Sequence, residues 1–187
     1  IRTIGAGAFG TVKLVRALDG RIMALKCMEK QTIADTKQQV QVLNEKNILA
    51  ACSSPFILKL EETFADNDQL YLLTEFLQGG DLYSILYKKR PVSMPYGPFG
   101  GVAVCTARFY ASNVISAMKD LRHKRIVHRD LKPGNFLMGQ DGYVDTHGLT
   151  HIRRLDISND GRMLSGEDTL GALNDNEKRR FEMYLNR

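Results

Sequence analysis

The sequence predicts an α+β protein of two lobes, a strand-rich first lobe with one main helix and a mostly helical, incomplete second lobe. Three observations predict it. Hydrophobic alternation with a period of two fills most of the chain before residue 78, helical periodicity marks much of the chain after it, and Gln78-Gly79-Gly80-Asp81 breaks the pattern between them. With 187 residues, 43% of them hydrophobic and 25% charged, the chain can bury a real core, which excludes disorder and collagen-like repeats. Lysine and arginine number 26 against 21 acidic residues. The resulting charge of +5 suits an acidic partner such as a polyphosphate and is too diffuse to argue for nucleic acid.

The first 28 residues read as strand, strand, turn and strand: IRTIGAGAFG, TVKLVRA, the turn signal Asp19-Gly20, and RIMALKCM. In the last strand the period of two puts Ile22, Ala24, Lys26 and Met28 on one face, so a lysine shares a face with alanine. A helix is expected from Asp35, where Asp35 and Gln38 resemble a capping box, and Val42/Leu49 with Leu43/Ala50 form its buried stripe. It should stop near Ser53, Ser54 and Pro55. ILKLEETFAD and QLYLLTEFL then form a hairpin across Asp66, Asn67 and Asp68. Beyond the break, Tyr110, Val114, Ala117, Met118 and Leu121 fall on one face of an amphipathic helix. The domain division is 1–77 and 78–187. Residues 91–101, PVSMPYGPFGG, carry three prolines and read as an irregular surface insertion.

Three cysteines, Cys27, Cys52 and Cys105, without a CxxC pair argue against a disulfide framework and for a reducing, cytoplasmic compartment. No stretch approaches the roughly 18 consecutive apolar residues of a membrane span, so no membrane partner is expected. The chain opens at Ile1, already inside a glycine motif, and is read as part of a longer product.

Gly5, Gly7 and Gly10 have Gly-x-Gly-x-x-Gly spacing, which alone is a weak signal shared by two unrelated nucleotide-binding designs. The dinucleotide design requires a helix after the glycines, whereas TVKLVRA has β character. Lys26 stands on the third strand and Glu45 on the following helix. Taken alone, these two would be an exposed ion pair worth about 0–1 kcal/mol. The decisive run is His128-Arg129-Asp130-Leu131-Lys132-Pro133-Gly134-Asn135, which comes after a helix and a short strand.

Together these motifs resemble a protein kinase. LNEKNIL, SPFILKL, LYLLTEFLQGGDL and RDLKP narrow the likeness, over roughly Ile1 to Val144, to the AGC group of serine/threonine kinases, most of all to its cyclic-nucleotide-dependent members. The resemblance implies ATP and Mg²⁺ as cofactors and a protein serine or threonine as acceptor. Asp130 would take the hydroxyl proton, Lys132 neutralise the γ-phosphate, Asn135 hold Mg²⁺, and Lys26, fixed by Glu45, reach the α- and β-phosphates. It further implies an adenine pocket of Ile4, Val12, Ala24 and Leu137 under the glycines, Thr74 as gatekeeper, Glu75 and Leu77 as hinge, and Asp81 facing the ribose. A regulatory domain or subunit would lie outside this sequence.

The likeness breaks in four places. Asp-Phe-Gly, whose aspartate is the second metal ligand, is absent, and the chain reads Asp145-Thr146-His147-Gly148-Leu149. Either Thr146 and His147 replace the aspartate and phenylalanine, or Asp145 is the ligand on a shortened strand; a simple turn aspartate is the third option. Losing one preorganised electrostatic group costs about 3 kcal/mol, roughly a hundredfold in rate. Gly134 replaces the glutamate with which basophilic relatives read substrate arginine, leaving a preference for basic substrates open. The 91–101 insertion has no counterpart. After Thr169-Leu170-Gly171 there is no Ala-Pro-Glu, so the second lobe is incomplete, and an alternative reading is a pseudokinase or an inactive fragment.

Overall fold

Alternating small and branched apolar residues build three antiparallel strands, β1 (Arg2–Gly7), β2 (Gly10–Arg16) and β3 (Ile22–Glu29). This computed structural model describes residues 2–7, 10–87 and 101–147, together with the backbone pairing of Arg153–Arg154. The later hairpin, β4 (Leu60–Ala65) and β5 (Gln69–Glu75), joins them in one five-stranded sheet of order β1-β2-β3-β5-β4. Its register places Val12, Lys26 and Leu72 directly opposite one another on three successive strands, with Leu14, Ala24 and Thr74 as the next such row. Directly opposed residues share a face. One sheet face therefore carries Met28 and Leu70 at one end and Lys26, Ala24 and Thr74 at the other.

Two helices cover the first of these ends. The expected single helix from Asp35 is corrected: Lys30–Asp35 is a separate short helix, α1, and the main helix α2 runs from Gln39 to Ala51 without a side-chain cap from Gln38. Thr36 Oγ1 donates back to the Thr32 carbonyl at 2.7 Å, and Lys37 takes a left-handed φ of 55°, so the first helix ends before the second begins. Asp35 accepts from Gln31 within α1 rather than capping α2. Val42, Leu43 and Leu49 are buried as expected, but Ala50 is exposed and Ile48 takes its place. Met28, Ile33, Val42, Leu70 and Leu72 form the core between helices and sheet.

The second half packs on α4 (Val104–His123), preceded by the short α3 (Leu82–Tyr87). Ile48, Leu49 and Ile57 meet Ala117, Leu121 and Ile126 in a core that joins α2 to α4, and Ser54 donates to Asp120 across the same junction. Leu82, Phe136 and Val144 make a third cluster. Three short strands come next, β6 (Ile126–Val127), β7 (Phe136–Met138) and β8 (Val144–Thr146), with β6 pairing to β9 (Arg153–Arg154) and β7 to β8. Thr146 N–H donates to the Phe56 carbonyl at 2.9 Å, and Leu58 N–H donates to the Thr146 carbonyl at 3.1 Å, fastening β8 to the segment leading into β4.

The segment after β5 is pinned to β7 by backbone alone. Gly79 N–H donates to the Met138 carbonyl, and Met138 N–H to the Gly80 carbonyl, each at 2.9 Å. A Cβ on Gly79 would lie 2.7 Å from Met138 Cβ, so only glycine allows this approach. The insertion at 91–100, Ser165, Thr169 and the charged end of the chain lie outside the described residues. Among those described, no helix is long and apolar enough to cross a membrane.

Gly10 has φ 149°, and a Cβ there would lie 2.0 Å from the Cys27 carbonyl oxygen. Gly10→Ala is therefore expected to cost about 1–3 kcal/mol by forcing β2 from β3, lowering Tm by several degrees. An unchanged melt would show that the strand end yields freely.

Candidate active site

A cleft of about 590 Å³ opens under the free end of the sheet. Ile4, Gly5, Val12 and Ala24 line it from β1 to β3, Thr74, Glu75 and Leu77 from β5 onward, and Leu137 from β7. The sheet register explains the row Val12, Lys26 and Leu72, since these opposed residues all line the cleft. Lys26 Nζ donates to both carboxylate oxygens of Glu45, at 2.9 and 2.7 Å. The Glu45 side chain is 6% exposed, so the pair is no surface bridge. A buried carboxylate without a cation is costly, and each partner holds the other in place.

Thr74 is buried, its hydroxyl donating to the Glu75 carbonyl at 3.2 Å. Asp81 lines the cleft and accepts from the Ser84 N–H and hydroxyl at 2.8 and 2.7 Å. Burial raises its carboxyl pKa, but those hydrogen bonds win and leave it below the usual carboxylate value. Gly7 and Gly10 do not line the cavity; they pair across the tip of the β1–β2 hairpin, where Gly10 serves close packing on Cys27.

Asp130, Lys132 and Asn135 form their own cluster. Lys132 Nζ donates to Asp130 Oδ2 at 2.7 Å, while Asn135 Nδ2 donates to the same oxygen at 3.0 Å and to the Asp130 carbonyl at 2.7 Å. The loop is shaped by Arg129, whose φ of 60° is left-handed, and by the Asp130 N–H donating to the His128 carbonyl at 2.9 Å. His128 is buried and stacks on Phe136. Such strain in a non-glycine residue persists only where its surroundings fix it, and here it falls immediately before Asp130.

A family-wide sequence profile, "Protein kinase domain", matches residues 1–152. The chain belongs to the protein kinase family. It is 37% identical over 145 residues to cAMP-dependent protein kinase type 3 of Saccharomyces cerevisiae, 41% over 145 residues to cGMP-dependent protein kinase 2 of Rattus norvegicus, and 39% over 145 residues to the cGMP-dependent protein kinase of Toxoplasma gondii. Each alignment covers 77% of this chain but only 34%, 18% and 14% of the respective relative. This kinase sequence thus spans about a third or less of those proteins, and its strand-rich half and helical half match the α+β kinase fold.

The structure sets Asp145, the candidate second metal ligand, apart from the cleft. Asp145 stands in the middle of β8, paired with Leu137, not after a shortened strand, and it lines a second cavity rather than the cleft. Thr146 is fully buried between strands. The residue that reaches the cleft is His147, whose N–H donates to the Asn135 carbonyl at 2.9 Å and whose ring bonds the Gly134 carbonyl. Burial lowers its pKa, and Nε2 is buried without a partner among the described residues. For ATP the cleft fits: apolar walls, a held lysine, and a sheet edge of small residues. For Mg²⁺ it does not: Asn135 is a neutral amide whose carboxylate neighbour, Asp130, is already engaged by Lys132, and no group of three or more His, Cys, Asp or Glu among the described residues converges on an ion.

Sequence reasoning missed Leu49, Leu58, Leu72, Phe76 and Gln78 as cleft-lining residues. Leu72 was within reach, because it alternates with Thr74 on the same strand. Leu49 and Leu58 required the fold.

Burial, then the charges of Glu75 and Asp141, push the Asp145 carboxyl pKa up to about 7. The native state thus holds a proton that the unfolded chain, with a pKa of about 3.9, has already released, so this residue lowers stability as pH rises from about 4 to 7. Asp145→Asn should raise stability by on the order of 2–4 kcal/mol at pH 8 and by nothing near pH 4. Melting curves at both pH values check it, and a pH-independent difference would refute the assignment.

Proposed function

We propose that this chain carries the ATP-binding and catalytic-loop part of a cytoplasmic serine/threonine protein kinase, with residues 1–77 covering the nucleotide and 78–187 supplying part of the second lobe. The observation that carries this reading is Lys26, held under the sheet by Glu45 at 2.9 and 2.7 Å inside an apolar cleft. ATP supplies the γ-phosphoryl group. Ile4, Val12, Ala24 and Leu137 sandwich the adenine, the backbone at Glu75 and Leu77 bonds its edge, and Asp81 meets the ribose. Gly5, Gly7 and Gly10 keep the hairpin above the phosphates free of side chains, and Lys26 meets the α- and β-phosphates.

Asp130 orients the acceptor and takes its proton as the alcohol oxygen bonds to the γ-phosphorus and the bond to the β-phosphate oxygen breaks. Lys132, already at 2.7 Å from Asp130, balances charge on the transferring group. Asn135 fixes Asp130 through two hydrogen bonds and is the remaining candidate for a Mg²⁺ contact. The acceptor is a protein serine or threonine, and with Gly134 in the loop its preference for basic neighbours rests on other groups.

A specific observation favours a second reading, a nucleotide-binding module without efficient transfer: His147 reaches the cleft and Asp145 does not. Two measurements separate the readings. ATP at a hundred times its Kd should add about 2.7 kcal/mol of apparent stability. The double variant Lys26→Met/Glu45→Gln, which leaves no buried charge unpaired, should lose that shift; its retention would place the nucleotide elsewhere. Phosphate transfer to a serine peptide should fall by roughly 10²–10⁴ in Asp130→Asn. ATP binding with no transfer in the parent chain would establish the second reading.

A further inference from the structure

The larger cavity is the one that Asp145 lines. It measures about 920 Å³ and shares Leu49, Glu75 and Leu77 with the cleft, but it takes in the β7–β8 turn and none of the catalytic loop. Its apolar wall includes Phe56, Ile57 and Leu60.

Three carboxylates line this space: Glu75, Asp141 and Asp145. The cation that also lines it, Lys59, has its Nζ on Glu61 at 2.8 Å. Glu75 accepts the Lys59 N–H at 2.6 Å, and Asp141 accepts the Tyr143 N–H at 3.1 Å. Asp145 differs from both. It is 8% exposed, and while its backbone pairs with Leu137, its carboxyl has no hydrogen-bond or ion-pair partner among the described residues. A carboxylate so deeply buried is costly unless a partner arrives from outside. The raised pKa of its carboxyl agrees with this geometry, since burial and its two acidic neighbours both disfavour the charge.

The missing partner has a definable chemistry. The three carboxylates are too dispersed to count as a metal-binding group, so a compact ion cannot satisfy them together. A guanidinium can, because its five N–H donors spread in a plane and it tolerates partial desolvation better than an ammonium. The apolar wall suits a hydrocarbon stem, and the volume is that of a site for a ligand of several residues rather than one side chain. We propose that this cavity is a docking site for an arginine borne on a short apolar peptide segment, with the guanidinium against Asp145, Asp141 and Glu75. The proposal does not rest on the nucleotide reading: Glu75 lines both spaces, but it is its carboxylate that serves here, and neither the Lys26–Glu45 pair nor the catalytic loop takes part.

The test is calorimetric titration of the 187-residue chain with acetyl-Leu-Arg-Leu-amide at pH 8 and low salt. Three comparisons accompany it: the same peptide with citrulline for arginine, free butylguanidinium, and the variants Asp145→Asn and Asp141→Asn. Binding should weaken at least tenfold with citrulline and in Asp145→Asn, less in Asp141→Asn, and butylguanidinium should bind at least tenfold more weakly than the peptide. Asp145→Asn must melt at or above the parent's temperature, which shows that lost binding is not lost folding. Absence of binding at millimolar peptide, equal binding to Asp145→Asn, or equal binding of the citrulline peptide overturns the site. Equal binding of butylguanidinium overturns the peptide and leaves a small-cation pocket. Loss of ATP binding in separate variants touches none of these outcomes.

Discussion

An ammonium group can sit beneath a β-sheet only if a carboxylate is brought to it, and this requirement organises the first half of the molecule. Glu45 must point inward, so α2 must turn its 42–49 face to the sheet, and the apolar residues of that face then meet Met28 and Leu70 behind the pair. The ion pair and the hydrophobic core are alternatives at different depths on the same sheet face. Toward the helices the face is apolar and closed, and toward the free end it is lined by Ala24, Lys26 and Thr74 and open. Because Leu49 also enters the core that contains Ala117 and Leu121, the same helix carries the constraint into the second half.

Much of this was legible in the sequence. Alternation in RIMALKCM put Lys26 and Ala24 on one face, and the Asp66-Asn67-Asp68 turn fixed the hairpin that adds β5 beside β3. The amphipathic stripe ending in Ala117 and Leu121 found its helix because five apolar positions agreed on a single face. These are repetitive patterns, in which one error is outvoted. The start of α2 lacked that redundancy. Asp35 followed by Gln38 is a plausible cap on its own, and only the back-bonding of Thr36 and the left-handed turn at Lys37 show that a first helix ends there.

The segment after the catalytic loop stayed ambiguous for a related reason. In Val144-Asp145-Thr146-His147 every residue can occupy a strand, and a shift of one position exchanges the two faces. Composition cannot choose among them. The pairing of Asp145 with Leu137, and the two bonds between Thr146 and the segment 56–58, do choose, and both depend on residues distant in sequence. Gly7 and Gly10 carry a similar lesson. Their spacing signalled a phosphate cradle, yet the crowding at Gly10 shows a glycine also demanded by the neighbouring strand.

The reciprocal bonds between Gly79, Gly80 and Met138 tie the segment that leaves β5 to the strand that follows the catalytic loop. Leu77 and Leu137, each within two residues of these bonds, line the cleft, so its wall there is positioned by backbone rather than by side-chain packing. A side chain added at Gly79 would therefore reshape the cleft from behind, by displacing Met138 and with it Leu137.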